Sequence, residues 1–218
     1  MPAELYLIHT GFLQEEETFL RQLKRVSRER KERVEACRIK ADKLRCLAGG
    51  LLLEELLRQN FHSPEELVRE EKGRLVLPGQ ESFFFNLSHS GDYAACVVAD
   101  FPVGVDIQQF RPIQKGLAKR FFQPQEAEHI HKHTGKNKEE LFFRYWSAKE
   151  SYSKLIGEGL GKNFNSFAVR LEEGRIEDKR ELREIYLKEY FCLPEYSIAV
   201  SAYEKDFQRF VKKIIYRL

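Results

Sequence analysis

The residues whose types and spacing could do chemistry lie mostly from mid-chain onward. The segment Arg144-Tyr145-Trp146-Ser147-Ala148-Lys149-Glu150-Ser151-Tyr152-Ser153-Lys154 holds the single tryptophan of the sequence. On a helix, Trp146, Glu150 and Lys154 stand along one side, four residues apart. Such a row can serve an active site, and it equally describes a core tryptophan beside a surface Glu–Lys pair worth only about 0.2–0.5 kcal/mol. Spacing alone leaves both readings open. In Val103-Gly104-Val105-Asp106-Ile107-Gln108 the apolar residues alternate, so Asp106 and Gln108 share the opposite face of a strand. Read by itself, Asp106 is a strand-end carboxylate making a turn. Ser88 and His89 end another strand, and adjacent strand residues face opposite ways, which argues against a serine–histidine nucleophile couple. Arg38, Lys40, Lys43 and Arg45 crowd the start of a helix, where they either grip an anion or face solvent.

Other suggestive groups carry less. His129 and His133 could share a metal on a helix, but no third ligand is identifiable, so zinc is not implied. Gly157-Glu158-Gly159-Leu160-Gly161 ends a helix instead of opening one after a strand, which makes it a helix stop and turn and not a phosphate loop. Phe83-Phe84-Phe85 and Phe121-Phe122 read as core aromatics, with an interface as the second use of the Phe121-Phe122 pair.

The elements that must position these residues follow from periodicity. Leu5 to His9 is a strand, and the charge-rich stretch to Arg38 reads as a solvated helical face. Leu44, Leu47, Leu51, Leu52, Leu56 and Leu57 recur at three- and four-residue steps, which predicts an amphipathic helix over 40–60. Gly73 and Pro78-Gly79 punctuate two short strands, Arg74 to Leu77 and Ser82 to Leu87, expected to pair through the turn. Tyr93 to Ala99 is a third strand, and Val103 to Gln108 follows the break Asp100-Phe101-Pro102. Helices are expected from Pro124 and over 138–156, the second stopped by the glycines at 157, 159 and 161. Strands resume at Ser166 to Leu171, Glu184 to Phe191, Ser197 to Ala202 and Phe207 to Ile214. The expected fold class is α+β, with two halves of similar size, 1–102 and 103–218.

The pattern W-S-x-K-E-S-x-x-K followed by G-x-G-L resembles the signature helix of the 4′-phosphopantetheinyl transferases, in particular their larger pseudo-dimeric, surfactin-type class. Gly104-Val105-Asp106-Ile107 is similar to the family's metal strand, and Phe85-Asn86-Leu87-Ser88-His89-Ser90 to its F-N-[IL]-S-H-[ST] strand end. Lys40-Ala41-Asp42-Lys43-Leu44-Arg45 is similar to its basic helix start, and Gly73-Arg74 falls where the family has Gly-Lys or Gly-Arg. The resemblance covers about residues 38–170, and its motifs occur in the family's order.

It implies two halves related by a pseudo-twofold axis, with the active site between them. It further implies transfer of 4′-phosphopantetheine from coenzyme A to a serine of an apo acyl, polyketide or peptidyl carrier protein, releasing adenosine 3′,5′-bisphosphate. Asp106, Gln108 and Glu150 would hold Mg²⁺, with Mn²⁺ as a substitute, through hard oxygens. Gln108 departs from the family's frequent glutamate; its neutral oxygen can still ligate, or hold a metal-bound water. Asp106, Glu150 and Lys154 would be the catalytic group, and the acceptor of the serine proton is Glu150 or a metal-bound water beside it. Lys40, Arg45, Arg74, Ser88, His89 and Lys154 would bind coenzyme A, since cations favour phosphate.

Composition agrees and narrows the field. The 218 residues are 42% hydrophobic and 33% charged, with 17 Phe and 9 Tyr, which is a folded and not a disordered composition. The net charge of +3 and the pI near 8.6 leave a nucleic-acid binder supported by no recognised motif. No run approaches the ~20 apolar residues needed to cross a bilayer, and Met1-Pro2-Ala3-Glu4 does not start a signal peptide. Four scattered cysteines without C-x-x-C spacing fit a reducing cytoplasm. The expectation is a cytoplasmic, monomeric enzyme that binds no membrane. The competing reading is a non-catalytic module of the same fold that binds coenzyme A or a carrier, with Gln108 as the hint of decay.

Overall fold

The computed structural model describes residues 1–71, 73–158 and 163–213. In chain order it contains β1 (Glu4–His9), α1 (Glu16–Leu23), α2 (Arg28–Ala36) and α3 (Lys40–Gln59). After α3 come β2 (Val68–Arg69), β3 (Leu75–Val76), β4 (Phe84–Ser90), β5 (Tyr93–Ala99) and β6 (Val103–Gln109). The helices α4 (Leu117–Phe121), α5 (Pro124–His131) and α6 (Gly135–Leu155) follow. β7 (Ala168–Arg170), β8 (Arg175–Glu177), β9 (Ile185–Glu189), β10 (Tyr196–Ala202) and β11 (Lys212–Lys213) complete the order. The architecture is α+β with two halves, each a long helix against a largely antiparallel sheet.

The first sheet has the order β11-β1-β5-β4 and the second β6-β10-β9-β8-β7. The end of the chain returns to the first sheet, because β11 pairs in parallel with β1 and Lys212 forms an ion pair with Glu4 at 2.7 Å. Val103, Val105 and Ile107 point together into a core shared by both sheets, with Leu5, Leu7, Val97 and Val200. The alternation read in the sequence therefore sorts β6 into an apolar face and a face bearing Asp106 and Gln108.

Helix α3 is buried beyond the leucine stripe. Cys46, Gly49, Gly50, Leu53 and Glu54 are enclosed too, because α1 and α2 cover the side of α3 that turns away from the sheet. Each leucine so enclosed contributes about 1.5–3 kcal/mol. The stretch expected to be a solvated face is thus two short packed helices, with Arg30 only 7% exposed.

The expected pairing of Arg74–Leu77 with Ser82–Leu87 is corrected. β3 pairs with β2, and β4 pairs with β5 through the Gly91-Asp92 turn. Strand β8 carried no sequence signal. The strand expected over Phe207 to Ile214 is corrected: within 207–213 only Lys212–Lys213 is a strand, and Phe207 makes an isolated bridge to Ala3. Ile214, Gly159 and Gly161 lie outside the described residues, whereas Gly157 ends α6 at φ +72°. No helix among the described residues is long and apolar enough to cross a membrane.

After α3 the chain reverses at Phe61, in the left-handed region at φ +63° with its side chain 99% exposed. The His62 N–H reaches back to the Leu57 carbonyl at 2.9 Å, the closure that usually has glycine at its centre. A bulky residue there costs about 1–2 kcal/mol. Phe61→Gly is expected to raise unfolding stability by about 1 kcal/mol, part of the strain being offset by glycine's larger chain entropy. Urea denaturation checks this, and an unchanged or lower midpoint would contradict it.

Candidate active site

Asp106 comes within reach of Glu150 and Lys154 because β6 has no side chain at Gly104. A Cβ there would lie 2.1 Å from the Ser151 carbonyl oxygen and 2.6 Å from the Leu155 nitrogen, so α6 rests on the strand backbone to backbone. Small residues extend the close approach, with Ser151 Oγ 2.7 Å from Ser201 Oγ on β10. The middle of the same helix is anchored by Trp146, which packs against Phe121, Phe122, Phe142 and Phe164. One turn apart, Trp146, Glu150 and Lys154 run from this aromatic cluster to the site. The tryptophan is a core anchor and the two charged groups are functional candidates, so each of the two readings of the row holds for part of it.

Lys154 Nζ donates to Asp106 Oδ1 at 2.7 Å, Ser88 Oγ at 2.8 Å and the Val105 carbonyl at 2.9 Å. Ser88 in turn donates to Asp106 Oδ1 at 2.8 Å, and Gln108 Nε2 donates to Asp106 Oδ2 at 3.0 Å. Asp106 and Glu150 are both buried. Ser88, Asp106, Gln108, Glu150 and Lys154 line a cavity of about 490 Å³ whose other wall carries Arg30, Arg33, Arg45, Arg69 and Arg74.

The sequence-predicted residues distribute as follows. Arg45, Arg74, Ser88, His89, Asp106, Gln108, Glu150 and Lys154 converge on this cavity. Lys40 does not line it; it stands exposed in the first turn of α3. Ser88 and His89 are not hydrogen-bonded to one another among the described contacts. Ser88 faces Asp106, while His89 lies at the cavity edge with its ring partly in solvent.

The electrostatics fit two opposite kinds of ligand. Burial, and then the charge of Asp106, push the Glu150 carboxyl up to about 7, with Lys154 pulling the other way. Two close carboxylates and an amide suit a hard dication, and magnesium needs few protein ligands. No group of three His, Cys, Asp or Glu side chains among the described residues is arranged to hold a metal, so Asp106, Glu150 and Gln108 would be the donors. On the opposite wall the Arg74 Nε is buried without a hydrogen-bond partner, which suits an incoming anion. His89 is held below its ordinary pKa by desolvation and then by the charges of Arg45 and Lys154. A neutral ring and a surplus of guanidinium charge both leave room for phosphate.

Sequence reading missed Arg30, Arg33 and Arg69. Arg30 crosses Gly50, where its Cδ and Cγ lie 2.5 Å from the position of an added Cβ, so the helix-interior glycine was the available signal. Arg69 forms an ion pair with Glu29 at 2.7 Å and donates to the Gly73 carbonyl, ordering the turn that presents Arg74. Lys149 is also revealed as structural. Fully enclosed, it binds Glu126 and the carbonyls of Phe164 and Phe167, each at 2.8 Å. The histidine group is held locally, with His129 Nδ1 2.9 Å from the Tyr145 hydroxyl and His133 Nδ1 3.0 Å from the His129 carbonyl.

Comparison with known proteins decides the family. The 4'-phosphopantetheinyl transferase superfamily pattern matches residues 102–208, and the pattern for the N-terminal part of a 4'-phosphopantetheinyl transferase matches residues 14–100. The 4'-phosphopantetheinyl transferase ffp of Bacillus subtilis is 33% identical over 94% of this chain and 93% of its own length. The chain belongs to the 4′-phosphopantetheinyl transferase superfamily. The 4'-phosphopantetheinyl transferase Sfp of Bacillus subtilis (strain 168) is 31% identical over 88% of each chain. The psf-1 protein of Bacillus pumilus is 37% identical over 68% of this chain and 65% of its own. The likeness to these relatives extends over most of the chain and the two family patterns match its two halves, so it has the larger, pseudo-dimeric form of the transferase family.

Gly104→Ala must push α6 from β6, and the obstructing atoms are backbone. A loss of about 3 kcal/mol or more is expected in urea denaturation, and a fully stable Gly104→Ala protein would contradict the close approach.

For the metal-free protein, the Glu150 carboxyl is protonated in the fold at pH values where the unfolded chain has already released the proton. Its contribution to stability is fully present below about pH 4.5 and is lost as pH rises to about 7, by up to about 3 kcal/mol. Glu150→Gln is expected to flatten that part of the stability–pH curve. An identical curve for the variant would contradict the shift.

Proposed function

We propose that this transferase moves 4′-phosphopantetheine from coenzyme A to the serine hydroxyl of an apo carrier protein of the acyl or peptidyl type. The observation that carries the proposal is the two-walled cavity, with Asp106, Gln108, Glu150 and Lys154 facing five arginines across about 490 Å³. Coenzyme A carries a 3′-phosphate and a diphosphate, and guanidinium groups bind such oxygens in pairs. Arg74, with its unpartnered buried Nε, is assigned to a phosphate of the nucleotide, as are Arg45 and the neighbouring arginines.

The reaction forms one bond from the serine oxygen to the phosphorus that bears pantetheine. It breaks the bond from that phosphorus to the bridging oxygen, and adenosine 3′,5′-bisphosphate leaves with the bond pair. Such transfers depend on positioning and charge neutralisation more than on covalent catalysis. Lys154, held by three oxygens, presents a fixed positive charge beside Asp106. Glu150, or a water beside it, is assigned as the acceptor of the serine proton; without a metal, burial and Asp106 push the Glu150 carboxyl up to about 7. A magnesium ion between Asp106, Gln108 and Glu150 would supply further positive charge toward the diphosphate. His89, which lines the cavity and feels the charge of Arg45, is assigned to donate to a nucleotide phosphate.

The test is incubation of the chain with coenzyme A, Mg²⁺ and a panel of apo carriers, followed by mass spectrometry. The expected result is one added phosphopantetheine on at least one carrier, dependent on the divalent cation. Glu150→Ala is expected to abolish transfer while retaining coenzyme A binding by calorimetry. Carriers unchanged by wild-type protein that still binds coenzyme A would select the non-catalytic module instead.

A further inference from the structure

Strand β6 is an edge of the second sheet: one side pairs with β10 throughout, from Val103 with Ala202 to Gln109 with Tyr196. Its other side meets the first half, and no backbone ladder forms there. Side chains of β4 take the place of a neighbouring strand. The Val105 N–H donates to Asn86 Oδ1 at 3.1 Å, the Ile107 N–H to Ser88 Oγ at 3.3 Å and the Gln109 N–H to Ser90 Oγ at 3.0 Å. Acceptors at every second residue of β4 meet donors at every second residue of β6, so the match fixes one register between the halves. A slip of one residue would turn all three acceptors away, by the same period-two logic that fixes strand pairing.

We infer that Asn86 and Ser90 are positioning residues for the transfer reaction, which clamp β6 on both sides of Asp106 and so set the distance between the acidic wall and the arginine wall. This rests on the reading of the cavity given above. Asp106 lies between Val105 and Ile107, and the β4 residues belong to the half that carries the arginines. Coenzyme A touching both walls therefore has its reactive phosphorus placed by the seam. Ser88 is already engaged with Asp106 and Lys154 and Asn86 also lines the cavity, whereas Ser90 lies outside the cavity lining and acts on Asp106 only through the strand, which makes it the residue to test first. The threonine Oγ preserves the acceptor, and valine has threonine's shape without it. That pair isolates the hydrogen bond from the packing.

The experiment compares Ser90→Val, Ser90→Ala and Ser90→Thr in the full chain, measuring kcat and KM for transfer, coenzyme A affinity by calorimetry and the melting temperature. Misplacement by a fraction of an ångström at the reacting atoms is expected to lower kcat about tenfold in Ser90→Val and Ser90→Ala. Coenzyme A affinity should stay within about twofold, because the arginine wall is untouched, and Ser90→Thr should restore kcat. Adding Asn86→Leu to Ser90→Val should lower kcat further. Equal kcat for the valine and threonine variants would overturn the inference. So would variants that lose only melting temperature, or that fail to fold at all, since the seam would then be structural alone. An inactive wild-type chain would instead defeat the reading of the cavity.

Discussion

The site depends first on a single backbone contact. At Gly104 the strand that carries Asp106 lies directly on the helix that carries Glu150 and Lys154, with no Cβ between them. Any side chain there would hold the helix off, and Asp106 could no longer receive Lys154 Nζ at 2.7 Å. Serines at 147 and 151 of α6 serve the same approach, since longer side chains would separate the helix from β10. This backbone-to-backbone approach lies where three charged side chains must meet.

That meeting would be unfavourable without its partners. Two buried carboxylates repel, and burial of each charge carries its own penalty. The protein answers with one resident cation, Lys154, and two hydrogen-bond donors to Asp106, Ser88 and Gln108. Glu150 is left without equal compensation, and its carboxyl is accordingly pushed up to about 7. Asp106 is neutralised by the protein itself and Glu150 by a proton or a bound cation. The arginine wall across the cavity repeats the theme with reversed sign: Arg45 and Arg69 are paired with Asp42 and Glu29, while Arg74 keeps a buried donor free. Each wall is incomplete in the sense that the other wall's ligand corrects.

Much of this was legible in the sequence where a period and a chemical type coincided. The alternation around Asp106 fixed both the strand and the face of Gln108, and the leucine steps located α3 to within a residue of its ends. Short-range signals failed where tertiary pairing decides. Two-residue strands such as β2 and β3 have too few residues to show a period, so the choice of partner for β3 lay with β2 and not with the run after Pro78-Gly79. The charge-rich segment before Arg38 concealed a buried arginine, because Arg30 is enclosed by the groove that Gly50 opens in another helix. Lys40 and Arg45 looked alike in the sequence; five residues on a helix turn them some 140° apart, and only Arg45 faces the cavity.

Lys149 illustrates why motif membership does not by itself assign a role. It stands beside Glu150 in the signature segment, yet helical geometry sends it about 100° away, into the interior. There its ammonium is fully enclosed by Glu126, two carbonyls and the face of Phe167 at 4.4 Å. Burial holds its pKa down to about 8, so the charge is retained only because those partners repay part of the lost hydration. The Phe164 and Phe167 carbonyls belong to the chain that leaves the end of α6, and Glu126 also accepts the Val169 N–H at 2.7 Å. Lys149 and Glu126 thus tie that returning segment to a side of the helix that faces away from the cavity. Glu150 and Lys154 face their ligands from a helix clamped on both sides: by Gly104 and the serines against the sheet, and by a buried ion pair against the segment that follows it.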